Sequence, residues 1–194
     1  MKAARPTLTE RLVALAHSNG IIPVLLMVEI LETTILPFPY EAAFIALCFA
    51  APKRIGLFVA VTVIGSAIAG TILYALGAGF ADPLADRLGV EAAVDSYKAT
   101  FQERGGVLIF LGGLTPVPSY LVNLAAGASG YPYPAFVALF AASRFIRFAA
   151  FGLLIHFFGE RVLGQWTKLP SWLRKTLIIG FLIGVTLWSI RAVT

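Results

Sequence analysis

Five apolar stretches, 21–51, 55–80, 105–130, 133–159 and 176–190, alternate with short polar connectors along this chain. The stretch 55–80 holds no charged side chain and exceeds the roughly 20 apolar residues that cross a hydrocarbon core. It reads as a membrane span, as do 133–159 and 176–190. The first and third stretches differ because a proline tract interrupts each: Leu36-Pro37-Phe38-Pro39 and Thr115-Pro116-Val117-Pro118. Proline has no backbone N–H to donate and its ring clashes with the preceding turn, so both tracts end helices. The segments that remain on either side are too short to span alone; Ala42 to Ala51 is one of them. Both stretches are therefore expected to be re-entrant hairpins, entering and leaving the bilayer on one side. Broken backbone at membrane depth survives only where protein buries it or where it lines a wet cavity.

Charge distribution supports this topology. Lys2, Arg5 and Arg11 outnumber Glu10 near the N-terminus, and the connector at 52–54 adds Lys53 and Arg54. Segment 81–104 carries Asp82, Asp86, Glu91, Asp95 and Glu103 against Arg87, Lys98 and Arg104. Arg161, Lys168, Arg174 and Lys175 then oppose Glu160. Two hairpins and three spans place every base-rich segment on one side, which would be the cytoplasm, with the N-terminus there too. Segment 81–104 is expected to be a polar helix on the opposite surface. Trp166 and Trp172 around Pro170 suit an interfacial aromatic belt.

The halves also align with each other. Superposing them puts Pro37 on Pro116, Pro39 on Pro118, Phe58 on Phe136 and Phe80 on Phe158. Each half is a broken hairpin followed by a span, and because the span changes sides the second half is inverted. The expected fold is an all-α integral membrane protein forming one domain over 1–194. It is an inverted repeat of hairpin plus transmembrane helix, with an extra C-terminal helix. Gly65, Gly70, Gly77 and Gly79, with Ala67 and Ala69, mark the second stretch as a close-packing helix, and Gly127 and Gly130 suit a tight hairpin return.

Composition agrees. The chain is 59% hydrophobic and 13% charged, about half the charged share of a soluble domain. The basic N-terminus shows no short apolar core followed directly by a small-residue cleavage site, so a removed signal peptide is not expected. Cys48 is a lone cysteine in an apolar segment and reads as a core residue. No Cys/His cluster suggests a metal, and no cofactor is expected.

Charged residues inside the apolar stretches are the chemical signal. Glu29, Glu32 and Glu41 lie in the first hairpin; Arg144 and Arg147 lie midway along the fourth stretch. Each arginine at mid-helix costs about 2.5–3.5 kcal/mol on an insertion scale, so these groups must face protein or water. Glu29/Glu32 and Arg144/Arg147 each have helical i,i+3 spacing. The set is either an ion-pair lock between the halves or a headgroup and proton site. Arginine offers paired donors to phosphate oxygens, and a carboxylate at low dielectric can carry a proton. His156 reads as a hydrogen-bonded side chain on a span.

These residues resemble the DedA family, bacterial members of the VTT membrane superfamily. Glu32 through Pro37, Pro39 and Glu41 resembles the first-hairpin pattern, with Tyr40 where a Ser or Gly is usual. Gly65, Gly70, Tyr74 and Gly77 resemble the following span, with Thr71 in place of an acid; Phe101, Gly105, Thr115-Pro116 and Ala126-Gly127 resemble the second hairpin. Many members flank the second proline with arginines at positions that are Gly113 and Ser119 here; a shorter branch carries arginines in the next span, as at Arg144 and Arg147.

The resemblance implies a lipid scramblase or proton-motive-force-linked flippase of the bacterial inner membrane, not an enzyme. Its partners would be phospholipid or undecaprenyl phosphate, with protons, and self-association is left open. Glu32 and Glu41 would then meet protons or a headgroup amine, Arg144 and Arg147 a phosphate, and Glu29 would assist. A proton-coupled small-solute transporter is the alternative. An intramembrane lipid phosphatase is a weaker one, lacking a Pro-Gly-x-Ser-Arg-type nucleophile loop. A scaffold role has no feature for or against it.

Overall fold

A computed structural model describes residues 7–34, 40–88, 91–115 and 119–168. Pro37, Pro39, Pro116, Pro118 and the expected span at 176–190 lie outside the described residues. Those described are helical: α1 Leu8–His17, α2 Ile21–Thr34, α3 Tyr40–Ala50, α4 Ile55–Leu88, α5 Glu91–Leu114, α6 Ser119–Ala128 and α7 Tyr133–Lys168. A single 3₁₀ turn, Pro52–Arg54, leads into α4.

Length and hydropathy single out Pro52–Ala81 and Tyr133–Gly159 as helices able to cross a membrane, matching the second and fourth apolar stretches. The protein is an all-α membrane protein, and its surface agrees. Met27, Ile64, Phe80, Leu121, Phe145 and Phe157 are all exposed, an arrangement suited to lipid and costly in water.

α1 opens with a reciprocal cap. The Thr7 N–H donates to Glu10 Oε2 at 2.7 Å, and the Glu10 N–H donates to Thr7 Oγ1 at 3.3 Å. The chain then turns by 94° into α2. Arg54 holds this corner, donating from Nη1 to the carbonyls of Ala16 (2.8 Å) and Ser18 (3.0 Å) and from Nη2 to Asn19 Oδ1 (3.3 Å). Accepting the Thr7 backbone N–H, and then its contact with the Thr7 side chain, holds the Glu10 carboxyl below its ordinary 4.5. A depressed carboxyl stabilises the cap above 4.5 and loses that contribution as pH falls through the lower folded value. Amides of the first turn of α1 should therefore lose hydrogen-exchange protection on acidification while those of α4 keep theirs. Equal protection of α1 across that range would show the cap to be inert.

The two halves interlock. α2 lies along α4 and α5 along α7, within their own halves, while α3 packs on α7 and α6 on α4. The second arm of each interrupted pair thus rests on the other half's long helix. Matched positions share their surroundings: Phe58 and Phe136 are fully buried, and Phe80 and Phe158 are exposed. One apolar core gathers Tyr40, Phe44, Phe58 and Phe148; the other gathers Phe101, Ile109, Ala126, Phe136 and Phe140.

Two details depart from the sequence reading. The polar segment 81–104 is not a separate element: α4 runs through Leu88, and α5 continues unbroken from Glu91 into the apolar run ending at Leu114. The glycines also divide by task. A Cβ on Gly77 would strike the Leu124 carbonyl of α6, and one on Gly127 the Tyr74 carbonyl of α4, so this pair lets two backbones touch. Gly127 serves that crossing and not a hairpin return. Gly130 has open space around it and φ of 65°, so it is there for the turn; Gly79 meets nothing within 4 Å.

Candidate functional site

Both interrupted pairs end their first arm on a threonine. Thr34 Oγ1 donates to the Ile30 carbonyl at 2.6 Å and Thr115 Oγ1 to the Leu111 carbonyl at 2.6 Å. Each bonds back one turn to a carbonyl of its own helix, and the Leu111 carbonyl also accepts the Thr115 N–H at 2.8 Å. The charged side chains gather near these ends.

Arg147 of α7 joins three elements. Its Nη2 meets Glu41 Oε1, in the first turn of α3, at 2.5 Å, and its Nη1 donates to the Thr115 carbonyl at the end of α5 at 3.0 Å. The pair is mostly but not wholly covered, with 11% of the Arg147 side chain and 31% of that of Glu41 exposed. Arg144, one turn earlier, is buried and reaches elsewhere. Its Nη2 donates to Ser119 Oγ, the first residue of α6, at 2.6 Å, and its guanidinium carbon stands 5.2 Å from the centre of the Phe140 ring.

The remaining acids are on α2, with Glu29 facing α4. Glu29 is fully buried; its Oε1 accepts from Ser66 Oγ and from Thr33 Oγ1, the latter at 3.3 Å. Thr33 Oγ1 also stands 3.2 Å from Glu32 Oε2, so one hydroxyl hydrogen serves whichever acid needs it. Gly65 makes room: a Cβ there would sit 2.9 Å from Glu29 Cγ. Beside them the Tyr40 hydroxyl lies 2.6 Å from Thr62 Oγ1. Thr62 gives its own hydrogen to the Phe58 carbonyl, so Tyr40 is the donor.

All five expected residues fall in one electrostatic neighbourhood. Arg144 acts on Glu29 and Glu32, and Arg147 feels Glu41, Glu32 and Glu29. Of these five, Glu41 and Arg147 touch as an ion pair. Glu29 and Arg144 each keep a buried polar atom without a partner, Oε2 and Nε respectively. Such atoms are costly in a closed core, and a site that receives a ligand or water is one place they occur. His156 is exposed and lies against Phe157, away from this group. The described residues contain no metal-binding cluster of His, Cys, Asp and Glu.

The VTT domain pattern matches residues 38–157, more than half of the chain, including α3, α4, α5, α6 and most of α7. The chain belongs to the VTT-domain family, in its DedA group. An uncharacterized protein of Haemophilus influenzae is 28% identical over 162 residues, covering 81% of each chain. No solved structure matches.

The second half's long helix fills both flanks of the second interruption: Arg144 Nη2 reaches Ser119 Oγ, and a Cβ on Gly113 would collide with Ser143 Oγ. Sequence reasoning named the charges but missed Ser119, Ser66, Thr33 and the Thr115 carbonyl. Hydroxyls on apolar helices usually bond back to their own backbone, as Thr62 and Ser143 do, so spacing alone could not mark these. Ser119 alone had a signal, its place directly after the second Pro-x-Pro tract.

Proposed function

We propose that this VTT-domain protein carries a phosphate-bearing lipid headgroup across the bacterial inner membrane, through a polar cavity between two re-entrant hairpins. The observation that carries this reading is the convergence of Arg144, Arg147, Glu29, Glu32 and Glu41 on the inner ends of the interrupted helices. Two guanidinium groups suit a phosphate, and three carboxylates suit protons or a headgroup amine. The interlocked packing supports it, since α3 and α6 each rest on the opposite half's span. Movement of one half against the other would open the cluster to alternate sides. In this scheme the hairpins dip in from opposing faces, the N-terminus is cytoplasmic, and the acids couple transport to protons.

Liposomes containing the purified protein should exchange fluorescent headgroup-labelled lipid between leaflets at least tenfold faster than empty ones. Glu32→Gln, which keeps the Thr33 contact but removes the charge, should cut that rate severalfold with the protein still folded. Sealed vesicles that take up small solutes under a pH gradient without moving lipid would overturn the lipid reading. Release of phosphate from a pyrophosphoryl lipid would instead make the protein a phosphatase.

A further inference from the structure

Asn123 has no part in the cluster described so far, yet it is among the most buried polar side chains in the molecule. It is 0% exposed, and neither Nδ2 nor Oδ1 has a hydrogen-bond partner. A buried amide with both atoms idle serves no packing purpose that leucine would not serve better. Its neighbours suggest a use. Asn123 follows Ser119 by four residues on α6, so the two share one helix face. Helical side chains lean toward the N-terminus, which carries the Asn123 amide back over the turn that holds Ser119.

That turn already receives Arg144. Because Ser119 Oγ accepts from Arg144 Nη2, its own hydrogen is left to donate, and no acceptor takes it among the described residues. Arg144 Nε is buried and equally idle. Ser119 is also the first residue of α6, whose leading amides have no partners within the helix and form its positive end. Ser119 and Asn123 thus share one face at the start of α6, Arg144 reaches that turn, and each of the three keeps a donor without an acceptor. The acids are on α2 and α3; Glu29 and Glu32 lie near enough to act on Arg144, but neither hydrogen-bonds to it or to Ser119.

We infer that Ser119, Asn123 and Arg144 form an oxyanion subsite for one phosphoryl group, in which Asn123 orients the group. Arg147 is not part of it, being held by Glu41 and the Thr115 carbonyl. The inference rests on the lipid-transport reading for its ligand, a phosphorylated lipid headgroup, and the subsite's own test is separable from that reading.

Full-length protein in a phosphate-free maltoside detergent should bind dioctanoyl phosphatidate, and Asn123→Leu should weaken that binding about tenfold or more. That ratio is what one hydrogen bond to a charged group is worth. Asn123→Leu should also melt no lower than the wild type, because it removes two partnerless polar atoms. Asn123→Asp should bind more weakly still, its carboxylate repelling the anion, and Ser119→Ala should weaken binding severalfold should Asn123→Leu fail to fold. Leu121→Ala, on the exposed face of the same helix, should bind as the wild type does. Wild-type affinity in both Asn123→Leu and Ser119→Ala would overturn the subsite. Should inorganic phosphate bind as tightly as the lipid phosphate, the anion subsite stands and its source is the free ion. Should the variants lose binding while wild-type liposomes move no lipid, the subsite stands and the transport reading falls. Should wild-type and Asn123→Leu liposomes move lipid equally, with equal affinity, the subsite falls and the transport reading stands.

Discussion

Replacing Gly127 with alanine is expected to leave almost no folded protein, the largest effect of any single methyl group in this molecule. The new Cβ would meet the backbone of α4 at Tyr74 and come within 2.9 Å of the Ala78 nitrogen. Nothing there can rotate away, because the obstacle is main chain. Gly77→Ala meets the same wall from the other side, against Leu124 and 3.0 Å from the Ala128 nitrogen. Overpacking of a core usually costs about 1–3 kcal/mol. Here the two helices must separate along the broadest contact in the fold, so a loss of ~3 kcal/mol or more is expected. Gly79→Ala is the control: its Cβ meets nothing, and the better helix former should leave stability unchanged or slightly higher. The measurement is the yield of monodisperse protein in detergent, followed by thermal unfolding. Equal yields for Gly127→Ala and Gly79→Ala would mean that α4 and α6 do not cross as described.

The second large effect is at the bridge between Arg147 and Glu41. Arg147→Gln should abolish lipid movement and destabilise the fold by about 2 kcal/mol. That is below the ~3–5 kcal/mol for breaking a fully buried pair, because Glu41 is 31% exposed. The loss has two parts. Glu41 is left without its partner, and the Thr115 carbonyl loses the donor that ties the end of α5 to α7. Glu41→Gln keeps a hydrogen-bonding group at the same length and should cost less stability. The double variant should restore most of the stability lost in Arg147→Gln, since no carboxylate is then stranded. Transport should stay absent in all three. A double-mutant cycle on unfolding, run beside the liposome assay, separates these contributions. Transport recovered in the double variant would mean that the pair only locks the halves and that its charges play no part in moving substrate.

Much of this was written in local properties of the chain. A run such as 55–80 is apolar whatever surrounds it, and Tyr133–Gly159 is long and apolar enough to cross for the same reason. The buried charges could be named because their insertion cost is a property of the side chain. The boundary of the polar segment could not: polarity changes at Gly105 and the Gly105-Gly106 pair is a poor helix former, yet α5 runs straight through, with Gly105 packed against Phe101 and Tyr131. Gly127 read as a turn residue because its role depends on a backbone in the other half.

The membrane class, the places where helices must stop and the charges needing shelter therefore followed from residue chemistry taken in order along the chain. Which charge meets which did not. Glu41 and Arg147 are separated by 106 positions, and the i,i+3 spacing of Arg144 and Arg147 gave no hint that one would reach Ser119 and the other Glu41. Asn123 carries no signal in the sequence; its burial and idle amide exist only in the fold. Hydrophobicity adds up residue by residue, whereas a partner is chosen by the angle at which two helices cross. That angle depends on contacts such as Gly77 against Leu124, which form only when the halves interlock.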